Sequence, residues 1–268
     1  MICAATLGIG NPAIRTDTLN RIGKVGWVNE TVQLMRNHVS VRDFAPGTTI
    51  DESVLREIID AGRDASTWRS LQSYSIIVVR DQATKDKISE LISQPSIKNC
   101  AAFLVFVGDL ARAKTAVEMH NGEFQPDLVE ALLVTSVDAS ICAQNTLLAA
   151  ESLGLGGCYI GTVRNASAEI SQILGLGDYQ YPLVGMVLGV PAKRILPKPR
   201  LRPEGVVFWE RYNDDDAVRI ADIKNHEADL VDYPDPRPMT FSERQNDQWG
   251  KPGQTSTIGN LRTHGFPA

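Results

Sequence analysis

The sequence predicts an α+β domain. Three features point there: apolar and β-branched runs of strand length, helical apolar spacings interleaved with them, and one much longer helical pattern at residues 128–153. An apolar content of 43% over 268 residues is enough for a sizeable core. Neither an internal repeat nor an independent second domain is visible.

Residues 1–26 contain Gly8-Ile9-Gly10-Asn11-Pro12 and little periodicity, so they read as an extended N-terminal arm. Gly8 and Gly10 follow no strand and lack a third glycine, which excludes a dinucleotide fingerprint. A helix is predicted over 28–37, with Val32 and Met35 on its inner face. Asp51 is a good N-cap for the next helix, which carries Val54, Leu55, Ile58, Ile59 and Gly62 at helical spacing. Residues 64–73 are rich in hydroxyls and amides and lead into a β-branched strand at 74–79. Such a junction serves either as a plain connection or as a ligand-contact loop held by rigid neighbours. A helix over 81–92 has Ile88, Leu91 and Ile92 as its apolar side, and the run 103–107 is a strand covered on both faces. Weak periodicity at 112–126 fits a mobile flap or a poorly ordered helix.

The 128–153 pattern is apolar or small almost all the way round, which implies burial on most faces, within the monomer or at a subunit interface. Gln144 and Asn145 within it read as satisfied core or interface amides. Gly154 is a natural stop, and the following glycines enter a strand; a pyrophosphate loop needs the opposite order. Gly161, at the strand's far end, would let a flat ring approach the backbone. A short helix over 168–174 ends at Gly175, and a strand follows at 181–189. In Pro197-Lys198-Pro199-Arg200 the prolines stiffen the backbone and pre-aim both cations. A short strand is predicted at 206–209, a helix at 216–229, and an extended tail at 232–268, draped over the same subunit or a partner. The folded body therefore spans 27–231.

A net charge of −5 argues against a nucleic-acid surface. Cys3, Cys100, Cys142 and Cys158 have no metal or disulfide spacing and read as reduced thiols, and the four histidines are too dispersed for a metal site. The first fourteen residues lack a basic n-region, and no apolar run is expected to cross a bilayer. A cytoplasmic protein without a membrane partner is the expectation.

The run from Arg36 to Phe44 places His38, Ser40 and Arg42 at alternating positions. Such side chains can converge on one anionic group, and phosphate suits the planar fork of Arg, the Ser hydroxyl and the imidazole. A solvated polar turn is the alternative.

Taken together, four stretches resemble the nitroreductase superfamily, most closely its group A branch of NADPH nitroreductases and flavin reductases. They are His38-x-Ser40-x-Arg42-x-Phe44, Leu71-Gln72 with Gln94, the run from Ala143 through Gly157 into Tyr159-Ile160-Gly161-x-x-Arg164-Asn165, and Lys198-Pro199-Arg200-Leu201. The resemblance covers about Val32 to Arg202. It implies a three-layer fold, a central mixed and mainly antiparallel sheet flanked by helices, in an intertwined homodimer. It also implies FMN as cofactor. His38, Ser40, Arg42, Lys198 and Arg200 would surround its phosphate and ribityl chain, and Gln72 and Gln94 would hold ribityl or ring oxygens. Ser66 and Thr67 would lie near the pyrimidine edge, with Tyr159, Ile160 and Gly161 lining the ring.

The activity so implied is ping-pong electron transfer from NADPH or NADH to a nitroaromatic, quinone or related electron-poor acceptor, without a dedicated catalytic acid. A flavin reductase supplying a partner monooxygenase, or a flavin-binding protein with little turnover, are the alternatives. The chain departs from the family pattern at Trp68 and Arg69, where small hydroxyl residues are usual, and at Thr162, where a second glycine is common. Trp68, Arg69 and Arg164 are accordingly assigned to the substrate or nicotinamide pocket.

Overall fold

The computed structural model describes residues 29–234, 239–251 and 257–266. The chain divides into two compact units, Met1–Asn37 and His38–Ala268. The expected arm at 1–26 lies outside the described residues, as does Cys3. In the first unit, helix α1 (Glu30–Arg36) starts at Asn29, whose side chain accepts from the Val32 backbone N–H at 2.9 Å. Val32 and Met35 are exposed rather than turned inward. On seven residues they make a stripe only two side chains long, too little to anchor a helix face.

The second unit is built on a four-stranded sheet of order β1-β2-β4-β3, formed by β1 (Tyr74–Val79), β2 (Ala102–Asp109), β3 (Gly156–Ile160) and β4 (Gln180–Gly189). Every pairing between these strands is antiparallel, and the parallel component is a single bridge from Ser40 to Gly157. Strand β2 is buried along its whole length, as its uninterrupted apolar run requires. Its side chains alternate between two cores. Phe103, Val105 and Val107 join Ile88 and Ile97 of α3 (Gln82–Leu91) and α4 (Pro95–Asn99), and Ile170 of α7 (Ser167–Leu174). Leu104 and Phe106 face Leu55 and Ile58 of α2 (Glu52–Arg63) and Ala139, Cys142 and Leu147 of α6 (Leu128–Ser152). Helices thus cover both faces of the sheet. Where α2 crosses α6, a Cβ on Gly62 would come within 2.1 Å of Thr146 Oγ1, so only glycine permits the approach.

Several elements differ from the sequence reading. Pro95 opens an unexpected helix, α4, at a position where its missing N–H costs nothing. Leu91 is exposed, with Ile88 and Ile92 carrying the burial. The ambiguous stretch after 110 contains α5 (Ala111–Met119). Helix α6 buries one face only: Val129, Leu133, Val137 and Ile141 are 65, 57, 52 and 40% exposed. At 25 residues and a mean hydropathy of 1.2 over its most apolar window, α6 also meets the length and composition of a bilayer-spanning helix, contrary to expectation. Its packing against the sheet makes it a core helix instead.

Residues 206–209 are not a strand; Val206, Val207 and Trp209 are exposed and no neighbouring strand offers them a ladder. Helix α8 (Asp216–Asp229) follows as expected. The region after 231 is not an extended tail, because among its described residues it forms α9 (Phe241–Trp249) and α10 (Thr257–Thr263). Thr240 and Glu243 make a reciprocal capping box that starts α9. Leu261 and Phe266 are buried against Leu110, Ala131 and Tyr181, which anchors the end of the chain in its own unit.

Candidate functional site

The polar run ending at Phe44 is strapped along the free edge of β3. Val41 N–H donates to the Gly157 carbonyl at 2.9 Å, Phe44 bridges Pro191, and Ala45 N–H donates to the Val190 carbonyl at 2.8 Å. Extended backbone alternates its side chains, so Val41 enters the core while Ser40 and Arg42 stay exposed; the alternation ends at Asp43, and Phe44 is buried again. The chain leaving β4 returns beside this strap, with Lys193 Nζ at 2.7 Å from Asp43 Oδ2.

Between the two segments lies a cavity of about 640 Å³, lined by His38, Ser40, Arg42, Lys193, Lys198 and Arg200 together with Tyr233. Five residues singled out in the sequence, separated by more than 150 positions, are thus brought to one place. Lys198 Nζ sits 5.5 Å from the centroid of the Tyr233 ring. The Tyr233 hydroxyl donates to the Leu196 carbonyl at 3.1 Å, fixing the ring that the cation faces. The two prolines around Lys198 and this ring restrict the far wall of the cavity, as the strap restricts the near wall.

His38 has a partner that the sequence reading did not assign. Its Nδ1 lies 2.6 Å from Glu151 Oε1, near the C-terminal end of α6, and the Glu151 side chain is only 10% exposed. The second carboxylate oxygen, Oε2, is buried without a partner among the described residues. The only sequence signal was a carboxylate in an otherwise small and apolar helical run.

Next to this region, Tyr159 is half-buried and its hydroxyl donates to Gln144 Oε1 at 3.2 Å. Burial first, and the charge of Glu151 second, push its phenol above the ordinary range, so it stays neutral. Beyond Ile160, the Arg164 guanidinium lies 3.5 Å from where a Cβ on Gly161 would stand, in van der Waals contact with that side of a partly exposed backbone. Arg164 is held by the Leu183 carbonyl at 2.8 Å. Thr162 Oγ1 is buried with no partner among the described residues.

The loop group is elsewhere in the chain. Ser66, Thr67, Trp68, Arg69 and Gln72 do not line the cationic cavity; Gln72 lines a separate one of about 590 Å³ with Arg63, Leu71 and Arg112. Gln94 is the N-cap position of α4, tied to Ser89, and lines neither cavity. Arg69, Ser70 and Gln72 have positive φ (49°, 59° and 52°), a strained backbone for residues with a Cβ. The strain is held by Asp138, fully buried in α6, whose two oxygens accept from Trp68 N–H at 2.8 Å and Ser73 N–H at 3.0 Å. From the opposite side Arg112 donates to the Gln72 carbonyl at 3.0 Å. The loop presents Trp68, 45% exposed, with the Arg69 guanidinium 5.4 Å from its ring centroid.

The donor set of the cationic cavity suits a phosphate monoester: guanidinium and ammonium groups, a hydroxyl and an imidazole line it together, and Asp43, the one acid lining it, is paired with Lys193. The partly exposed backbone of Gly161, which carries no side chain of its own, suits a flat ring. FMN carries both groups. Among the described residues no cluster of His, Cys, Asp and Glu is suited to a metal.

The chain has clear relatives among known proteins. The family model for the nitroreductase family matches residues 35–190. The chain is 35% identical over 237 residues to a Cr(VI) reductase of Pseudomonas sp. (strain G-1), covering 87% of this chain and 93% of that protein. It is 34% identical over 245 residues to the NADPH-flavin oxidoreductase of Vibrio harveyi, covering 90% and 96%. The fold superposes on the structure of the NADPH:FMN oxidoreductase from Vibrio harveyi complexed with NAD+ with a TM-score of 0.81, at 32% identity, over 88% of this chain and 98% of that one. The chain belongs to the nitroreductase family, in its branch of FMN-dependent oxidoreductases.

Proposed function

We propose that this protein is an FMN-dependent NAD(P)H oxidoreductase that reduces nitroaromatics, quinones or related electron-poor acceptors by a ping-pong mechanism, as a cytoplasmic homodimer. The observation that carries the reading is the convergence of His38, Ser40, Arg42, Lys198 and Arg200 on one cavity from opposite ends of the fold. The names of the relatives, reductases using NADPH and flavin, support the donor and cofactor.

Arg42, Lys198 and Arg200 would neutralise the phosphate, His38 and Ser40 would add hydrogen bonds, and the strap would fix their spacing. The backbone of Tyr159, Ile160 and Gly161 would face the ring, with the Arg164 guanidinium close to Gly161. Bound FMN supplies the hydride chemistry, so the chain's own work is holding and orienting. In a homodimer the loop from Ser66 to Gln72 would complete the site from the partner copy. The apolar stripe of α6 supports that assembly, because it exposes four large side chains on one line.

The test is direct. Purified protein should be yellow, release FMN on denaturation, and bleach anaerobically with NADPH or NADH before any acceptor is added. An acceptor panel of nitroaromatics, quinones and free FMN then ranks the substrates. Colourless protein that cannot be reconstituted with FMN would overturn the reading. The relative named as an NADPH-flavin oxidoreductase favours one second reading, that free flavin is the physiological acceptor. Free FMN reduced far faster than every other acceptor would establish it.

A further inference from the structure

A second cavity, of about 650 Å³, shares Arg42 and Asp43 with the first and is otherwise lined by different residues. Its lining includes four cations, Arg42, Arg80, Lys85 and Lys98, and the single acid Asp43, which is already paired with Lys193. In a chain of net charge −5 this is a local concentration of positive charge. None of Arg80, Lys85 and Lys98 lies within salt-bridge distance of a carboxylate among the described residues.

Lys85 is the informative one. It is only 4% exposed, and its ammonium donates to the Cys100 carbonyl at 2.7 Å. A buried ammonium has three donors and a charge, and one carbonyl answers neither fully. The surrounding wall is fixed by further side-chain bonds to backbone. Arg80 donates to the Ile50 carbonyl at 3.2 Å, Gln82 to the Lys98 carbonyl at 3.0 Å, and Thr48 to the Ala45 carbonyl at 2.7 Å. These bonds hold the Arg80 guanidinium and the backbone that carries Lys98 before any ligand arrives. Asn99 and Thr49 add neutral polar groups to the lining.

We propose that this cavity is an oxyanion site that takes the phosphate of a small molecule, separate from the flavin phosphate. An anion here would supply the countercharge that Lys85 lacks, and a multivalent one would engage Arg80 and Lys98 together. Arg42 lines both cavities, so the two proposed sites have a residue in common.

The experiment is calorimetric titration of FMN-saturated protein with inorganic pyrophosphate in phosphate-free buffer, at constant ionic strength set with chloride. Saturable binding to one site per chain is expected, and Lys98→Glu, at an exposed position where folding is not at stake, should weaken it at least tenfold. A parallel titration with 2′,5′-ADP distinguishes the sources. Tighter binding than pyrophosphate assigns the phosphate to a nucleotide, and equal binding assigns it to a free anion; either result supports the site. Absence of saturable binding, or equal binding by Lys98→Glu, overturns it. Binding seen only in FMN-free protein and unchanged by Lys98→Glu also overturns it, because the anion is then in the flavin phosphate cavity.

Discussion

Glu151 meets His38 across 113 positions of sequence, carboxylate Oε1 to imidazole Nδ1 at 2.6 Å, and thereby ties α6 to the wall of the cationic cavity. The bond fixes the ring's orientation, and so decides how the imidazole faces a bound phosphate. Replacing Glu151 by Ala removes a hydrogen bond to a charged group, with an expected stability loss of about 1–3 kcal/mol. Urea unfolding measures that loss. FMN retention should weaken in the same variant, while Glu151→Gln, which keeps an acceptor, recovers part of both. Unchanged FMN affinity in Glu151→Ala would mean that the pair only braces the fold.

Arg42 should matter more directly to the cofactor. As an exposed side chain on the strap it contributes little to folding, but to a phosphate it offers a charge-assisted donor worth about 1.5–3 kcal/mol. Arg42→Ala should therefore retain FMN roughly tenfold to a hundredfold less tightly, with an unchanged melting temperature in the absence of FMN. Fluorescence titration of free FMN against the stripped protein reads the affinity. Retention equal to wild type would remove Arg42 from the site.

Asp138 holds the loop of three positive-φ residues through two backbone N–H groups, and both would be orphaned in Asp138→Ala. The expected cost is about 2–6 kcal/mol, since each unsatisfied buried group costs about 1–3. Asp138→Asn keeps one acceptor and should lose about half as much. Tryptophan emission should also change, because Trp68 is presented by this loop. Stability of Asp138→Ala within experimental error of wild type would show that Arg112 suffices to hold it.

Much of this architecture was legible in the residues. Strand β1 and helix α8 fell where β-branched and helical spacing put them, and the wholly apolar run in β2 announced burial on both faces. The near wall of the cationic cavity was legible because His38, Ser40 and Arg42 alternate on one extended strap. What was hidden has common causes. Residues 206–209 have strand composition, yet a strand exists only where another strand presents an edge. Helix α9 was announced by Thr240 and Glu243, a capping signal that the proline and glycine content around it masked. Asp138 and Glu151 were hidden because their partners, loop amides and a distant imidazole, become neighbours only after α6 has packed on the sheet.

The exposed stripe on α6 leads to a prediction about assembly. Val129, Leu133, Val137 and Ile141 follow the i, i+4 spacing, so they form one ridge, and covering it would remove a continuous apolar surface from water. In the proposed homodimer Val137→Glu places a charge at the centre of that ridge. Sedimentation analysis should find a dimer for the wild type and a monomer, or a dimer weakened at least a hundredfold, for the variant. Loss of FMN together with the dimer would follow if the partner's loop completes the site. A variant that remains dimeric would move the interface elsewhere.

The buried thiols predict how the fold responds to alkali. Burial pushes Cys100 up from 9.0 to about 11, and raises Cys142 and Cys158 for the same reason. A group whose folded pKa is raised holds its full stabilising contribution below the unfolded value and loses it as pH climbs through the folded value. Stability should therefore be flat with respect to Cys100 up to about pH 9 and fall between 9 and about 11. The loss from this thiol is at most about 3 kcal/mol, from about 1.4 kcal/mol per pKa unit. Cys100→Ala should flatten that limb in urea titrations run from pH 8 to 11. At pH 8 the three thiols should also resist iodoacetamide in the native protein and react once it is unfolded. Rapid native alkylation at Cys100 would show that the helix pair α3–α4 opens locally, and that its burial is not maintained in solution.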